Sequence, residues 1–247
     1  MKRDEVCALI KDIGIIPAIR VASVEDAHFA TDSVCQAGIP IVEITMTVPG
    51  AVGLIAHLAR FHHKVLIGAG TVLDTDTARQ CVDAGARFLT APGFELELVE
   101  FAAKENLAVL PGALTPTEVV KAWKAGSDFV KVFPCAPVGG DRYIKALKTA
   151  LPQVPLIAAG GVNQQTAVDF ILSGASALGV GTELIPSEAI ERRQSKRIRE
   201  LALRFIRFVK EARDRIEAGK KSAAARKAIK EKLSTREPST VEECEKR

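Results

Sequence analysis

Short aliphatic runs alternate with helix-like segments eight times between residues 14 and 182, and this alternation restricts the fold more than any other feature of the chain. The runs are Ile15-Ile16-Pro17-Ala18-Ile19, Ile39-Pro40-Ile41-Val42-Glu43-Ile44, Val65-Leu66-Ile67, Arg87-Phe88-Leu89-Thr90, Leu107-Ala108-Val109-Leu110, Phe129-Val130-Lys131-Val132-Phe133, Pro155-Leu156-Ile157-Ala158 and Ala177-Leu178-Gly179-Val180. Near-continuous apolar strands separated by helices belong to a parallel sheet covered on both faces. Eight such units in fewer than 200 residues predict an α/β chain folded as a compact (β/α)8 TIM barrel. Gly38, Gly85, Gly126 and Gly174 each precede a run, at separations of 47, 41 and 48 residues, or about two βα units. Glycine suits the left-handed position that closes a helix. The alternative is a doubly wound open sheet. It calls for a Gly-x-Gly-x-x-Gly turn after the first strand, and residues 14–26 contain none.

The character of the chain changes after Ile185-Pro186. Ile198, Leu201, Phe205, Phe208, Ala212 and Ile216 follow helical steps and predict one apolar stripe, docked on the core as a closing helix. Residues 1–218 are therefore expected to form the barrel with its closing helix. Residues 219–247 are expected to be a basic, polar and partly disordered extension. Charge divides in a similar way: residues 191–247 carry 19 Lys and Arg against 10 Asp and Glu, whereas residues 1–190 carry 15 against 20. A basic extension can bind polyanions with a steep salt dependence. The two aromatics of the stripe, Phe205 and Phe208, lie on its apolar face, so a solvated helix surface is expected and nucleic acid is not expected as a partner.

Composition narrows the setting. The chain is 47% hydrophobic but only 5% aromatic, which predicts an aliphatic core. No apolar run approaches the roughly 20 residues of a membrane span, so no membrane partner is expected. Met1-Lys2-Arg3-Asp4-Glu5 opens no signal peptide. Five scattered cysteines without a Cys-x-x-Cys argue for a reducing compartment, against a disulfide framework and against a zinc ribbon. The expected location is cytoplasmic.

The chemistry is expected at the carboxyl ends of the strands, where barrels of this kind carry their sites. Lys131 lies late in the sixth run, among Phe and Val. An ammonium there is costly to desolvate, and burial disfavours the charged form of any lysine, which frees the amine as a nucleophile. The plainer alternative is a strand-end lysine whose stem is buried and whose ammonium reaches water. Glu43 lies late in the second run and Arg20 closes the first. Glu43 reads as an ion-pair partner of Lys131, a catalytic carboxylate, or both. Arg87 and Asp128 begin their runs and belong to the opposite end. Ala159-Gly160-Gly161-Val162-Asn163 follows the seventh run and Gly179-Val180-Gly181-Thr182 ends the eighth. Glycines let backbone N–H groups approach an anion, a following helix N-terminus adds positive dipole, and these two loops are the usual phosphate site of such barrels. Cys135 has no strand-end histidine to activate it and reads as packing. His57, His62 and His63 fall on the second helix, away from the mouth, so no metal site is expected there.

Taken in order and spacing, eight strand-end segments resemble the 2-keto-3-deoxy-6-phosphogluconate (KDPG) and 4-hydroxy-2-oxoglutarate (KHG) aldolase family. They are Pro17-Ala18-Ile19-Arg20, Val42-Glu43-Ile44-Thr45, Gly68-Ala69-Gly70-Thr71-Val72, Ala91-Pro92-Gly93, Leu110-Pro111-Gly112, Val130-Lys131-Val132-Phe133-Pro134, Gly160-Gly161-Val162 and Gly179-Val180-Gly181-Thr182. The resemblance implies a class I, Schiff-base aldolase on a (β/α)8 barrel, without metal or other cofactor and commonly a homotrimer. It implies Lys131 as the Schiff-base lysine and Glu43 as the general acid/base. Arg20, Thr71, Pro92, Thr47 and Phe133 would line the pocket of a ketoacid phosphate, and Gly160, Gly161, Gly181 and Thr182 would hold its phosphate. The chain departs from the pattern at Thr47, where some members carry arginine, and at Ala159, where many carry threonine. Relatives acting on the galactonate-derived epimer also lack that threonine, and Gly140-Asp141-Arg142-Tyr143-Ile144-Lys145-Ala146-Leu147 is similar to their sequence. The galactonate-derived epimer is therefore the alternative substrate, and another phosphate-binding barrel, an isomerase or epimerase, the alternative activity.

Overall fold

The computed structural model describes residues 1–234. Nine parallel strands form one sheet: β1 (Ile15–Ile19), β2 (Ile41–Thr45), β3 (Leu66–Gly70), β4 (Phe88–Thr90), β5 (Ala108–Leu110), β6 (Gly112–Ala113), β7 (Val130–Val132), β8 (Leu156–Ala159) and β9 (Ala175–Val180). Their order is β5-β4-β3-β2-β1-β9-β8-β7-β6. The two ends of that order, β5 and β6, are consecutive in the chain, and this closes the sheet into a barrel. Pro111 divides them, and proline has no N–H for the ladder. Leu89 pairs with Val109 on one side of the break and Gly112 with Lys131 on the other. The eight expected strands are thus present, the fifth in two pieces.

Helices α1 (Arg3–Ile13), α2 (Val24–Cys35), α3 (Ala51–Phe61), α4 (Thr75–Asp83), α5 (Leu96–Lys104), α6 (Pro116–Lys124), α7 (Asp141–Ala150), α8 (Ala167–Leu172), α9 (Ser187–Glu191) and α10 (Ser195–Ser234) complete the chain. Their starts are encoded locally. Ser23 and Asp74 accept from N–H groups of α2 and α4, and Thr115 with Glu118 forms a reciprocal capping box ahead of Pro116. The four helix-closing glycines sit at φ +95°, +108°, +96° and +103°, in the left-handed region only glycine enters freely. The core is aliphatic: only Phe88, Phe129, Phe170 and Phe205 stand among the largest fully buried side chains as aromatics. α1 packs at the amino-terminal end of the barrel, where Arg3 Nε lies 2.8 Å from Asp128 Oδ1 and Lys11 sits over the Phe129 ring. No helix among the described residues is long and apolar enough to cross a membrane.

α10 packs on α8 and α2, the place of the closing helix. Its buried row is Ile198, Ala202, Phe205, Val209 and Ala212. The expected row contained Leu201 and Phe208 instead, and these are only half-buried. Neighbouring residues lie about 100° apart on a helix, and the row with the smaller side chains allows the closer approach. The helix continues without a break across Gly219 to Ser234. Residues 219–234 of the expected tail are therefore helical, and the expectation of disorder for 235–247 lies outside the described residues.

Candidate active site

Three strands bring polar side chains to one point inside the barrel. Lys131 Nζ on β7 lies 3.5 Å from Glu43 Oε1 on β2 and 3.4 Å from Thr90 Oγ1 on β4. The Lys131 side chain is 14% exposed and that of Glu43 only 4%. Both charges are withdrawn from water, so each depends on the other; removing one partner of such a pair costs about 3–5 kcal/mol. Two glycines of β3 make the room. A Cβ on Gly70 would fall within the Glu43 carboxylate, and one on Gly68 would fall within the Phe88 ring. Side chains alternate along a strand, so Phe88 and Thr90 share the inward face of β4 while Leu89 faces the helices. The Phe133 ring centroid lies 5.7 Å from Lys131 Nζ.

The other expected site residues lie on the loops that leave these strands. Arg20 Nη2 donates to Thr71 Oγ1 at 3.5 Å. Thr71 has φ +59°, an unfavourable conformation for a β-branched residue and one that concentrates at functional sites. Thr45 donates to the Ile19 carbonyl, and its hydroxyl lies 2.7 Å from that of Thr47. Pro92 is seated against β6, since a Cβ on Gly112 would strike its carbonyl and the Gly93 carbonyl accepts from Gly112 N–H. Phe133 and Pro134 are joined by a cis peptide bond, and Gly160 packs against both.

Gly160 and Gly161 follow β8 at φ +79° and +92°. Among the described residues, no backbone acceptor is found for the N–H groups of Gly161, Gly181 and Thr182. The expected helix dipole is not available in the form anticipated. α8 has six residues and starts only at Ala167, after an Asn163 turn whose side chain accepts from Gln165 and Thr166. α9 has five residues and starts at Ser187.

Cys135 is buried behind Gly160, and burial pushes its thiol up to about 11, which suits packing rather than nucleophilic attack. His28, missed in the sequence, joins His57 in an edge-to-face contact between α2 and α3, where burial and then His57 hold its imidazole below the usual range. Among the described residues no three His, Cys, Asp or Glu side chains are grouped to hold a metal. Sequence reasoning also passed over Thr90 and the role of Gly70. The signal for Thr90 was its period-2 spacing from Phe88, which puts a hydroxyl on the same face as Phe88 at the end of β4.

Comparison with known proteins places this geometry in context. The family model described as KDPG and KHG aldolase matches residues 6–201. The 2-dehydro-3-deoxy-6-phosphogalactonate aldolase of Escherichia coli is 30% identical over 80% of this chain and 95% of its own length. The 2-dehydro-3-deoxy-phosphogluconate aldolase of Treponema pallidum is 26% identical over 81% of this chain and 95% of its own. The crystal structure of KDPG aldolase from Legionella pneumophila, with pyruvate captured as a covalent carbinolamine, superposes with a TM-score of 0.75 at 30% identity, covering 80% of this chain and 96% of that one.

Proposed function

The chain belongs to the KDPG and KHG aldolase family, and from that premise we propose a class I aldolase that cleaves 2-keto-3-deoxy-6-phosphogluconate to pyruvate and glyceraldehyde 3-phosphate, with Lys131 as its Schiff-base lysine. One observation carries the residue assignment. A nearly buried amine and a nearly buried carboxylate lie 3.5 Å apart in the upper layer of a barrel, where an amine nucleophile and a proton carrier are needed together. The free amine of Lys131 attacks the C2 ketone to give a carbinolamine, which loses water to form an iminium. Glu43 takes the proton of the C4 hydroxyl. The C3–C4 bond then breaks, its electrons move into the iminium to give an enamine, and the aldehyde leaves. Glu43 returns the proton to C3, and water releases pyruvate and the amine. In this reading Arg20, Thr71, Thr47, Pro92 and Phe133 surround the ketoacid. The backbone N–H groups around Gly160, Gly161, Gly181 and Thr182 take the phosphate.

Borohydride reduction in the presence of pyruvate tests the assignment. A covalent adduct on Lys131, absent from Lys131→Ala, is expected; an enzyme that cleaves substrate without forming one would not be of this class. The galactonate-derived epimer is the second reading. It is favoured by Ala159 at the end of β8. Values of kcat/KM for the two C4 epimers, and for unphosphorylated 4-hydroxy-2-oxoglutarate, separate these substrates. Homotrimer assembly and a cytoplasmic location belong to the same proposal. The first is tested by the mass of the particle in solution. The second is supported by the free thiols of Cys7, Cys35, Cys81 and Cys135.

A further inference from the structure

Six polar or charged residues are buried among the described part of the chain: Thr31, Ser33, Glu43, Thr45, Thr90 and Ser127. Five of them carry hydroxyls. Thr31 donates to the Ala27 carbonyl, Ser33 to Phe29, Thr45 to Ile19 and Ser127 to Ala122. This is the ordinary fate of a buried hydroxyl, whose proton goes to the nearest backbone acceptor. Thr90 is the exception. Its side chain is fully buried, and its one hydrogen-bond partner among the described residues is Lys131 Nζ, at 3.4 Å.

The chemistry of the two neighbours of Lys131 is therefore different. Glu43, when ionised, can only accept, and so favours the ammonium. A hydroxyl both accepts and donates. It can accept from an ammonium, and it can donate to the lone pair of a free amine, which an ammonium does not offer. Among the described residues, no backbone carbonyl is found to accept the Thr90 proton. From this we propose that Thr90 is a positioning residue whose hydroxyl holds Lys131 Nζ in the place required for attack. Thr90 acts through Lys131 and needs no contact with substrate. The inference rests on Lys131 being the Schiff-base lysine.

Thr90→Val keeps the shape and removes the hydroxyl, while Thr90→Ser restores a hydroxyl on a smaller side chain. For Thr90→Val, kcat is expected to fall about 10-fold, the scale of one lost hydrogen bond, with KM within about twofold. Thr90→Ser is expected to recover the rate. Circular dichroism and thermal unfolding establish that each variant is folded. A Thr90→Val enzyme with unchanged kcat would overturn the proposal. So would a Thr90→Ser enzyme as impaired as Thr90→Val, which would assign the effect to packing. Borohydride trapping of wild type keeps the two levels apart. If wild type forms no pyruvate adduct on Lys131, the aldolase mechanism itself fails. If wild type forms the adduct and Thr90→Val is silent, only the role of Thr90 fails.

Discussion

The barrel carries a charge pair at each end, and the two are built on different terms. At the base, Arg3 and Asp128 meet at 2.8 Å, and almost every remaining atom is occupied: Arg3 Nη2 donates to the Gly126 carbonyl and Asp128 Oδ2 accepts from Val109 N–H. Asp128 in turn holds the Arg3 guanidinium above its usual range. At the mouth, Lys131 and Glu43 stand 3.5 Å apart, and beside the lysine is a hydroxyl without a backbone acceptor. The base pair is saturated and anchors α1 to the start of β7. The mouth pair is more deeply buried yet less completely bonded, which leaves a proton and a lone pair available for chemistry. Saturation marks the pair that holds the fold, and incomplete bonding marks the pair proposed to perform the reaction.

Substitutions can break this contrast, and the largest effects belong at the mouth. Lys131→Ala is expected to reduce cleavage to background, measured by coupled assay of pyruvate release. Glu43→Gln keeps the volume and removes the proton carrier; a loss of about 10²–10⁴-fold in kcat is expected, the range for general acid/base groups. At the base the prediction reverses. Asp128→Ala leaves Val109 N–H unsatisfied and is expected to lower stability by about 1–3 kcal/mol in denaturant titration, with kcat per folded enzyme unchanged. Gly70→Ala tests the room made for Glu43. Overpacking there is expected to cost about 1–3 kcal/mol and also to lower kcat, because the displaced side chain is the carboxylate itself.

The smallest effect lies away from both pairs. Backbone N–H groups of Leu114 and Thr115, then the Thr115 hydroxyl, hold the Glu118 carboxyl below the usual range. A lowered folded value gives stability that is present above the ordinary carboxylate titration and is lost as pH falls through the lowered value. Glu118 is largely exposed, so the contribution is on the order of a few tenths of a kcal/mol. The stability difference between wild type and Glu118→Gln, followed by thermal unfolding, is expected to shrink as pH falls. A difference that stays constant with pH would remove the carboxylate from the account.

Much of this was legible before any coordinates. The eight aliphatic runs and the helix-closing glycines follow from local patterns that the fold obeys, and Arg20 directly follows β1 as expected, whereas Lys131 and Glu43 lie at the middle of β7 and β2 rather than late in them. Other features depend on tertiary neighbours. Pro111 directly follows the fifth apolar run, and only the pairing on either side makes it the closing joint. Which of two adjacent rows α10 buries depends on how near α8 and α2 come, so Ala202 and Val209 displaced Leu201 and Phe208. The isolation of Thr90 is a statement about acceptors that are not there, and no sequence pattern encodes it.

α10 has a mechanical consequence. Its first half is clamped on the barrel through Phe205 and Val209, and its helix runs on to Ser234 without a break. From Ile216 to Ser234 that is about 27 Å at 1.5 Å per residue. A rod anchored in this way transmits direction as well as distance. Each residue inserted beyond the clamp would advance whatever follows by about 1.5 Å and turn it by about 100°. Attachments to this chain would therefore be indexed in angle, with their bearing on the barrel determined by the residue count between the clamp and the point of attachment.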